Sequence, residues 1–284
     1  MAEPSFSASR LPGFATIATI VFVVLYAPIA TLVIYSFNAG KTVSAWEGFS
    51  FRWYQQAWSN DIVQDAALRS LTIATCAMLI ATTVATMAAL GTTRTGPFRG
   101  KTLISAMINQ PLVVPDIVTA ISLLIFVAAI KVATGYQGLL YLVFAHSAFC
   151  IPFAYLPIKA RLESMDLSLE NAAADLYASP WQTFRRVTLP LLAPAIIAGG
   201  MLAFVISLDD VVITTFVKSG GQDTLPTYML GQLRRGTEPD VNAISTVCCL
   251  VQALTAMVQY NNPLIFHPFE QQGKMSLQVS NSSC

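Results

Sequence analysis

Long apolar runs joined by short polar connections dominate the chain. Six of them, residues 14–35, 71–90, 103–130, 138–158, 191–217 and 243–258, read as membrane spans, for which about 20 apolar residues are needed per helix. The sixth is short, is interrupted by Gln252 and stops at Gln259. Residues 205–217 are rich in β-branched side chains, yet in hydrocarbon only a helix satisfies its own backbone polar groups. All six are therefore expected as helices, and the fold class as all-α integral membrane. Composition agrees: hydrophobic residues make up 55% of the 284 and charged residues only 11%, against about 25% charge in an ordinary soluble domain.

Charge sets the orientation. The connection between the second and third runs holds Arg94, Arg99 and Lys101 with no acid, whereas the next holds only Lys131. A polar insert at residues 159–190 adds Lys159, Arg161, Arg185 and Arg186 on the side of the first cluster. Basic residues in short loops stay cytoplasmic, so the insert and both termini are expected inside, and the loops 38–65 and 218–240 outside. The first run has no small-residue cleavage site and is too long for a signal-peptide core. It is expected to stay as an anchor. Cys76, Cys150, Cys248, Cys249 and Cys284 form neither a disulfide framework nor a metal-ligand spacing. The net charge of +1 names no partner; membrane lipid is required by the spans, and no nucleic acid, metal or cofactor is expected.

The insert, KARLESMDLSLENAAADLYASPWQTFRRVTLP, reads as two short helices with a corner. Asp166 or Ser168 can cap the first, whose Ala172–Ala173–Ala174 run has high helix propensity and a thin profile. Ser179-Pro180-Trp181-Gln182 has Ser at the cap, Pro at the first helical position and Gln three after the cap, which is a capping box. The second helix presents Trp181, Phe184 and Val187 at helical spacing beside Arg185 and Arg186. Small residues on one side and an aromatic-basic stripe on the other fit a helix lying in a protein groove. They fit equally an amphipathic helix resting on lipid.

The alanine run after Glu170 and Asn171, the Asp175-Leu176 pair and the closing Thr188-Leu189-Pro190 resemble the cytoplasmic coupling loop of ABC-importer permeases. Further stretches, GFSFRWYQ from Gly48, QPLVVPDIVTAISLL from Gln110, SLDDVVITTF from Ser207 and TLPTYMLGQLRRGTEPDVNAIST from Thr224, are similar to the polyamine (spermidine/putrescine) permease subfamily. The resemblance implies a type I importer permease with six spans and a coupling loop between the fourth and fifth, in a bacterial inner membrane. It implies that Glu170, Asn171, Ala172, Ala173, Asp175, Tyr177, Ala178, Phe184 and Pro190 belong to that loop. The partners it implies are a cytoplasmic ATPase dimer, a second, different permease chain and an extracytoplasmic solute-binding protein. Transport would proceed by alternating access, with this chain supplying half of the pathway. Two positions depart from the family pattern: Asn171 stands where glutamate is usual, and Tyr177 where glycine is usual.

Intramembrane carboxylates are the candidate pathway residues. One at mid-membrane costs about 2.5–3.5 kcal/mol on insertion scales and faces a cavity or a partner. Asp209 and Asp210 would suit a di- or polycation. The rival reading places Asp209 about 27 Å along the fifth span, near the outer boundary, in a packing role. Asp116 follows Pro111 and Pro115, which should break the third span there. It is either part of the broken-helix arrangement found at transport sites or an acid satisfying the new N-terminus. His146 is expected to be hydrogen-bonded packing, and Trp46, Trp53, Tyr54 and Trp58 to be interfacial anchors.

GPFRGKT, from Gly96, is one residue too short for a phosphate-binding loop, and no nucleophile–base pair is apparent, so the energy source is expected in a partner and the chain is not expected to be an enzyme. The same architecture with another solute, or a passive channel or scaffold that recruits a cytoplasmic protein, remain the alternatives. Residues 1–260 are expected to form the permease domain, with 261–284 as a polar, disordered tail. The resemblance lapses after Val247.

Overall fold

The computed structural model describes residues 13–40, 45–136, 138–235 and 240–261, with side chains up to residue 258. The elements are helical throughout these residues: α1 (Phe14–Tyr35), α2 (Arg52–Trp58), α3 (Asp61–Thr93), α4 (Lys101–Val113), α5 (Asp116–Thr134), α6 (Leu140–Ser164), α7 (Ser168–Asp175), α8 (Pro180–Thr183), a π-helical turn (Phe184–Thr188), α9 (Leu189–Asp209), α10 (Val212–Val217), α11 (Leu225–Arg235) and α12 (Asp240–Asn261). Among the described residues, six helices are long and apolar enough to cross a membrane: Phe14–Tyr35, Asp61–Thr93, Asp116–Thr134, Leu140–Ser164, Pro180–Asp209 and Asp240–Val258. The tail expected after residue 260 lies outside the described residues, apart from Asn261.

Three expectations need correction. The fifth run is not one helix to residue 217: α9 stops at Asp209, and α10 restarts at Val212. The sixth is not interrupted at Gln252, because α12 continues as a helix of 22 residues to Asn261. Glutamine propensity is close to that of the best helix formers, so a polar side chain alone does not stop the helix. The outer loop 38–65 contains the helix α2, whose Trp53 is buried rather than anchored in an interface.

The chain divides into two compact units, residues 1–61 with 229–251 and residues 62–228 with 252–284. In the first, α1 is apolar on every side and carries no buried residue, as a helix facing hydrocarbon does. Beyond it the chain turns on Asn38. Its amide donates to the Ala45 carbonyl at 2.6 Å and accepts from the Glu47 N–H at 2.8 Å, while its own carbonyl accepts from Trp53 Nε1 at 2.7 Å. Tyr54 shares a hydrogen bond of 2.7 Å with Ser36. Both aromatics thus close the turn, and Phe37, Phe49 and Phe51 pack over it with ring centroids 5.2–5.5 Å apart.

In the second unit α6 is the axis. Its buried face includes Leu142, Tyr155, Ile158 and Leu162. α9 crosses it closely at Gly199, where a Cβ would lie 2.8 Å from the Ala154 carbonyl oxygen. α3 buries a stripe of Ala66, Ala74, Ala77, Ala81, Ala85 and Ala89; recurring small residues let helix backbones approach where no hydrophobic effect drives them together. The threonines of α3 do not break it, because Thr72, Thr83, Thr86 and Thr93 each return their hydroxyl to the carbonyl four residues before. Thr92 also meets Tyr155 Oη of α6 at 2.9 Å.

Candidate functional site

The insert folds as the two short helices with a corner that its residues predict. Asp166 accepts from the Ser168 hydroxyl at 2.6 Å and from its N–H at 2.9 Å, which starts α7. These bonds, the hydroxyl first, hold the Asp166 carboxyl below the usual carboxylate range. α7 ends in a Schellman arrangement: Ala178 N–H donates to the Ala173 carbonyl at 3.0 Å and Tyr177 N–H to the Ala174 carbonyl at 2.9 Å. Its left-handed residue is Tyr177, with φ of 57°, the position where glycine was expected. The capping box forms, with Ser179 N–H donating to Gln182 Oε1 at 3.0 Å and Gln182 N–H to Ser179 Oγ at 3.4 Å. α8 then widens into the π-helical turn rather than continuing as an α-helix.

The corner points outward. Leu176 is 82% and Tyr177 96% exposed, and Asn171, Ala172 and Asp175 are exposed as well. Trp181 is exposed too and packs on Phe184 with ring centroids 5.6 Å apart. The inner side is tethered. Glu170 Oε1 accepts from Arg94 Nε and from Thr188 Oγ1, each at 3.1 Å, and Arg94 Nη1 donates to the Leu162 carbonyl at 3.0 Å. A pocket of about 360 Å³ lies beside these contacts, lined also by Leu90, Ala174, Ala178, Pro180, Thr183 and Phe184.

The two neighbouring aspartates of the fifth span do different things. Asp209 ends α9 with its side chain exposed. Asp210 is turned in, its side chain 7% exposed, and starts α10 by accepting from Ile213 N–H at 3.2 Å, Thr214 N–H at 2.9 Å and Thr214 Oγ1 at 3.2 Å. His146, buried on α6, completes the joint: Nδ1 meets Ser207 Oγ and Nε2 meets Thr214 Oγ1, both at 2.9 Å, with Asp210 Oδ2 3.6 Å from Nε2. α10 packs on both α5 and α6. In the third span the break falls at Val114–Pro115, while Pro111 is carried inside α4. Asp116 is exposed in the first turn of α5, and the residue before it, Pro115, offers no side-chain cap.

Residues 81–263 match the model of the family described as binding-protein-dependent transport system inner membrane component. This chain belongs to that family. The match covers the insert, both aspartates and α12, and passes well beyond Val247. The putrescine transport system permease protein PotI of Escherichia coli strain K12 is 43% identical over 241 residues, covering 84% of this permease and 86% of that protein. The spermidine/putrescine transport system permease protein PotC of Haemophilus influenzae is 38% identical over 241 residues, covering 84% and 92%. Among solved structures, a bacterial ABC transporter involved in the import of the acidic polysaccharide alginate superposes with a TM-score of 0.68 at 14% identity, over 92% of this permease and all of that chain. The methionine transporter MetNI gives 0.61 at 15% identity over 72% and 94%. The permease is thus a multi-pass inner-membrane transport subunit with the ABC-importer permease fold, and its relatives are transport subunits rather than enzymes.

Sequence reasoning reached the insert, its caps and the break before Asp116. It missed the contacts that tether the insert. Arg94 was legible only as an orienting charge, and nothing local links it to Glu170, 76 residues away, or to Leu162. His146 was read correctly as packing, but its partners Ser207 and Thr214, 61 and 68 residues distant, were not identified.

Proposed function

We propose that this permease forms half of the pathway of an ATP-driven importer for putrescine or spermidine. Similarity at 43% identity to a putrescine permease, extending over 84% of the chain, carries the reading. A second permease chain, different from this one, completes the pathway, and a solute-binding protein delivers cargo from outside. Both termini and the insert face the cytoplasm, where a pair of ATPase subunits receives the exposed corner at Asn171, Ala172, Asp175, Leu176 and Tyr177. Glu170, Ala173, Ala178, Phe184 and Pro190 support that corner from within the insert. Closure of the ATPases moves the insert, and the spans rock so that the pathway opens to the other side. Residues 1–260 make up the permease domain.

Asp209 meets the cation and Asp210 holds the joint. An exposed carboxylate next to a helix break keeps its charge available to an ammonium group, whose attraction strengthens where water is scarce. Asp116, exposed at the other break, is the second acidic group of the pathway. Uptake of radiolabelled putrescine and spermidine, in cells lacking their own polyamine importers and supplied with the ATPase, partner permease and binding protein, tests this. The unaltered chain supports ATP-dependent uptake, and Asp209→Asn lowers it at least tenfold without lowering the amount of assembled complex. An assembled complex that moves neither polyamine sinks the substrate assignment. Undiminished uptake in Asp209→Asn removes that residue from the pathway.

A further inference from the structure

We infer that Arg94 is a positioning residue for coupling, the group through which a displacement of the insert reaches α3. The inference rests on the reading of the insert as the element that meets the ATPase. Arg94 lies just past the end of α3, a helix of 33 residues, longer than the roughly 20 that a span needs. Its guanidinium divides between two elements: Nε holds Glu170 in the first turn of α7, and Nη1 holds the Leu162 carbonyl in the last turn of α6. Glu170 in turn accepts from Thr188, just ahead of α9. The insert is continuous in the chain with α6 and α9, so this carboxylate, through Arg94, adds its tie to the end of α3. The side chains of Arg94 and Glu170 are 19% and 18% exposed, so water competes only partly for the pair.

A pocket of about 360 Å³ is lined by Leu90 of α3, by Ala174, Ala178 and Phe184 of the insert, and by Arg94, Glu170 and Thr188 of the bridge. Dispersion contacts weaken steeply across such a space, so the polar bridge carries motion of α7 to α3. A lysine would supply the charge but not the fork. Its single ammonium head cannot reproduce the planar geometry by which Arg94 serves a carboxylate and a carbonyl at once.

The test uses the full complex in proteoliposomes, with the amount of ATPase copurified per permease as a control for assembly. Putrescine moved per ATP hydrolysed is measured alongside the nucleotide-dependent distance between spin labels at Leu169→Cys on α7 and Leu68→Cys on α3. Arg94→Gln is expected to keep the ATPase bound and hydrolysing within about twofold, and Glu170→Gln, which lies in the insert, is read per ATPase bound. Solute moved per ATP falls at least tenfold, and the distance at α3 no longer follows nucleotide. Arg94→Lys falls between, and the double substitution is no worse than either single one. Thr188→Val, which removes one hydroxyl without changing the side-chain shape, lowers the ratio about threefold and serves if the arginine variants fail to assemble. An unchanged ratio and an unchanged label response in these variants overturn the inference. If the unaltered complex moves no putrescine but the label distance follows nucleotide, only the substrate assignment fails, and the variants are judged on the distance. A complex in which no ATPase binds the unaltered insert overturns both.

Discussion

Two spans of this permease are broken, and they are broken by different means. Between α4 and α5 the interruption is covalent in origin: Pro115 has φ of −54° and ψ of 137°, Val114 is extended, and Asp116 stands exposed. A proline removes an N–H and biases the residue before it away from the helix, so this break is set by residues adjacent in the chain, Pro115 with the extended Val114. Between α9 and α10 there is no proline. That break is made by side chains, with Asp210 capping α10 and His146 held between Ser207 and Thr214. A proline break tolerates change around it, whereas a side-chain break depends on each of its partners.

The same substitution at both breaks should separate them. Asp210→Ala strands the N–H groups of Ile213 and Thr214 and takes the carboxylate from His146, a loss expected at about 3 kcal/mol. Asp116→Ala removes only a favourable charge at a helix N-terminus, about 0.5 kcal/mol. Thermal unfolding of the assembled complex gives both, and equal losses would erase the distinction.

The joint also depends on how closely α9 lies on α6, which a smaller perturbation probes. Gly199→Ala places a methyl 2.8 Å from the Ala154 backbone oxygen, and forcing the helices apart should cost about 2 kcal/mol. Gly200→Ala meets the Thr82 hydroxyl at 3.1 Å and Met78 Cγ at an ordinary 3.6 Å, and should cost less than half as much. If the two variants unfold together, the close approach at Gly199 is not what sets the position of the joint.

The corner of the insert is a third interruption, and it carries strain that neither break has. Tyr177 sits in the left-handed region, where an L side chain is disfavoured by about 1 kcal/mol, so Tyr177→Gly should slow hydrogen exchange at the end of α7 by several-fold. Faster exchange would mean that the tyrosine ring, not the backbone, holds the corner. At the start of α7 the effect is smallest. Hydrogen bonds from Ser168 lower the Asp166 pKa, so their contribution is present above the unfolded value near 3.9. It is lost as pH falls through the lower folded value. Fraying of the first turn of α7 should follow below about pH 4, and Asp166→Asn should abolish that pH dependence.

Much of the architecture was legible because it is local. Apolar runs long enough for a bilayer have one stable backbone solution, and caps such as Ser179 with Gln182, or the Pro115 stop, involve residues within a few positions of each other. Lengths were less legible than existence: α3 outruns its apolar stretch at both ends, and α6 carries its helix to Ser164 through Lys159 and Arg161, because helix propensity continues where hydropathy stops. Among the candidate carboxylates, the sequence marked Asp209 and Asp210 alike. Their difference is one of place: Asp209 is the last residue of α9, whereas Asp210 lies extended in the break, where the backbone leaves the helix and the side chain is turned in.

Alone, then, the sequence determined that this chain spans the membrane six times, where its polar insert lies and how that insert is capped, since each follows from composition or from neighbours in the chain. Only the tertiary structure decided which aspartate is bound into a joint, why the fifth span breaks without a proline, and which arginine reaches the insert. Those contacts join residues 18 to 76 positions apart, and a buried polar group finds its partner by where helices pack, a fact no local window contains.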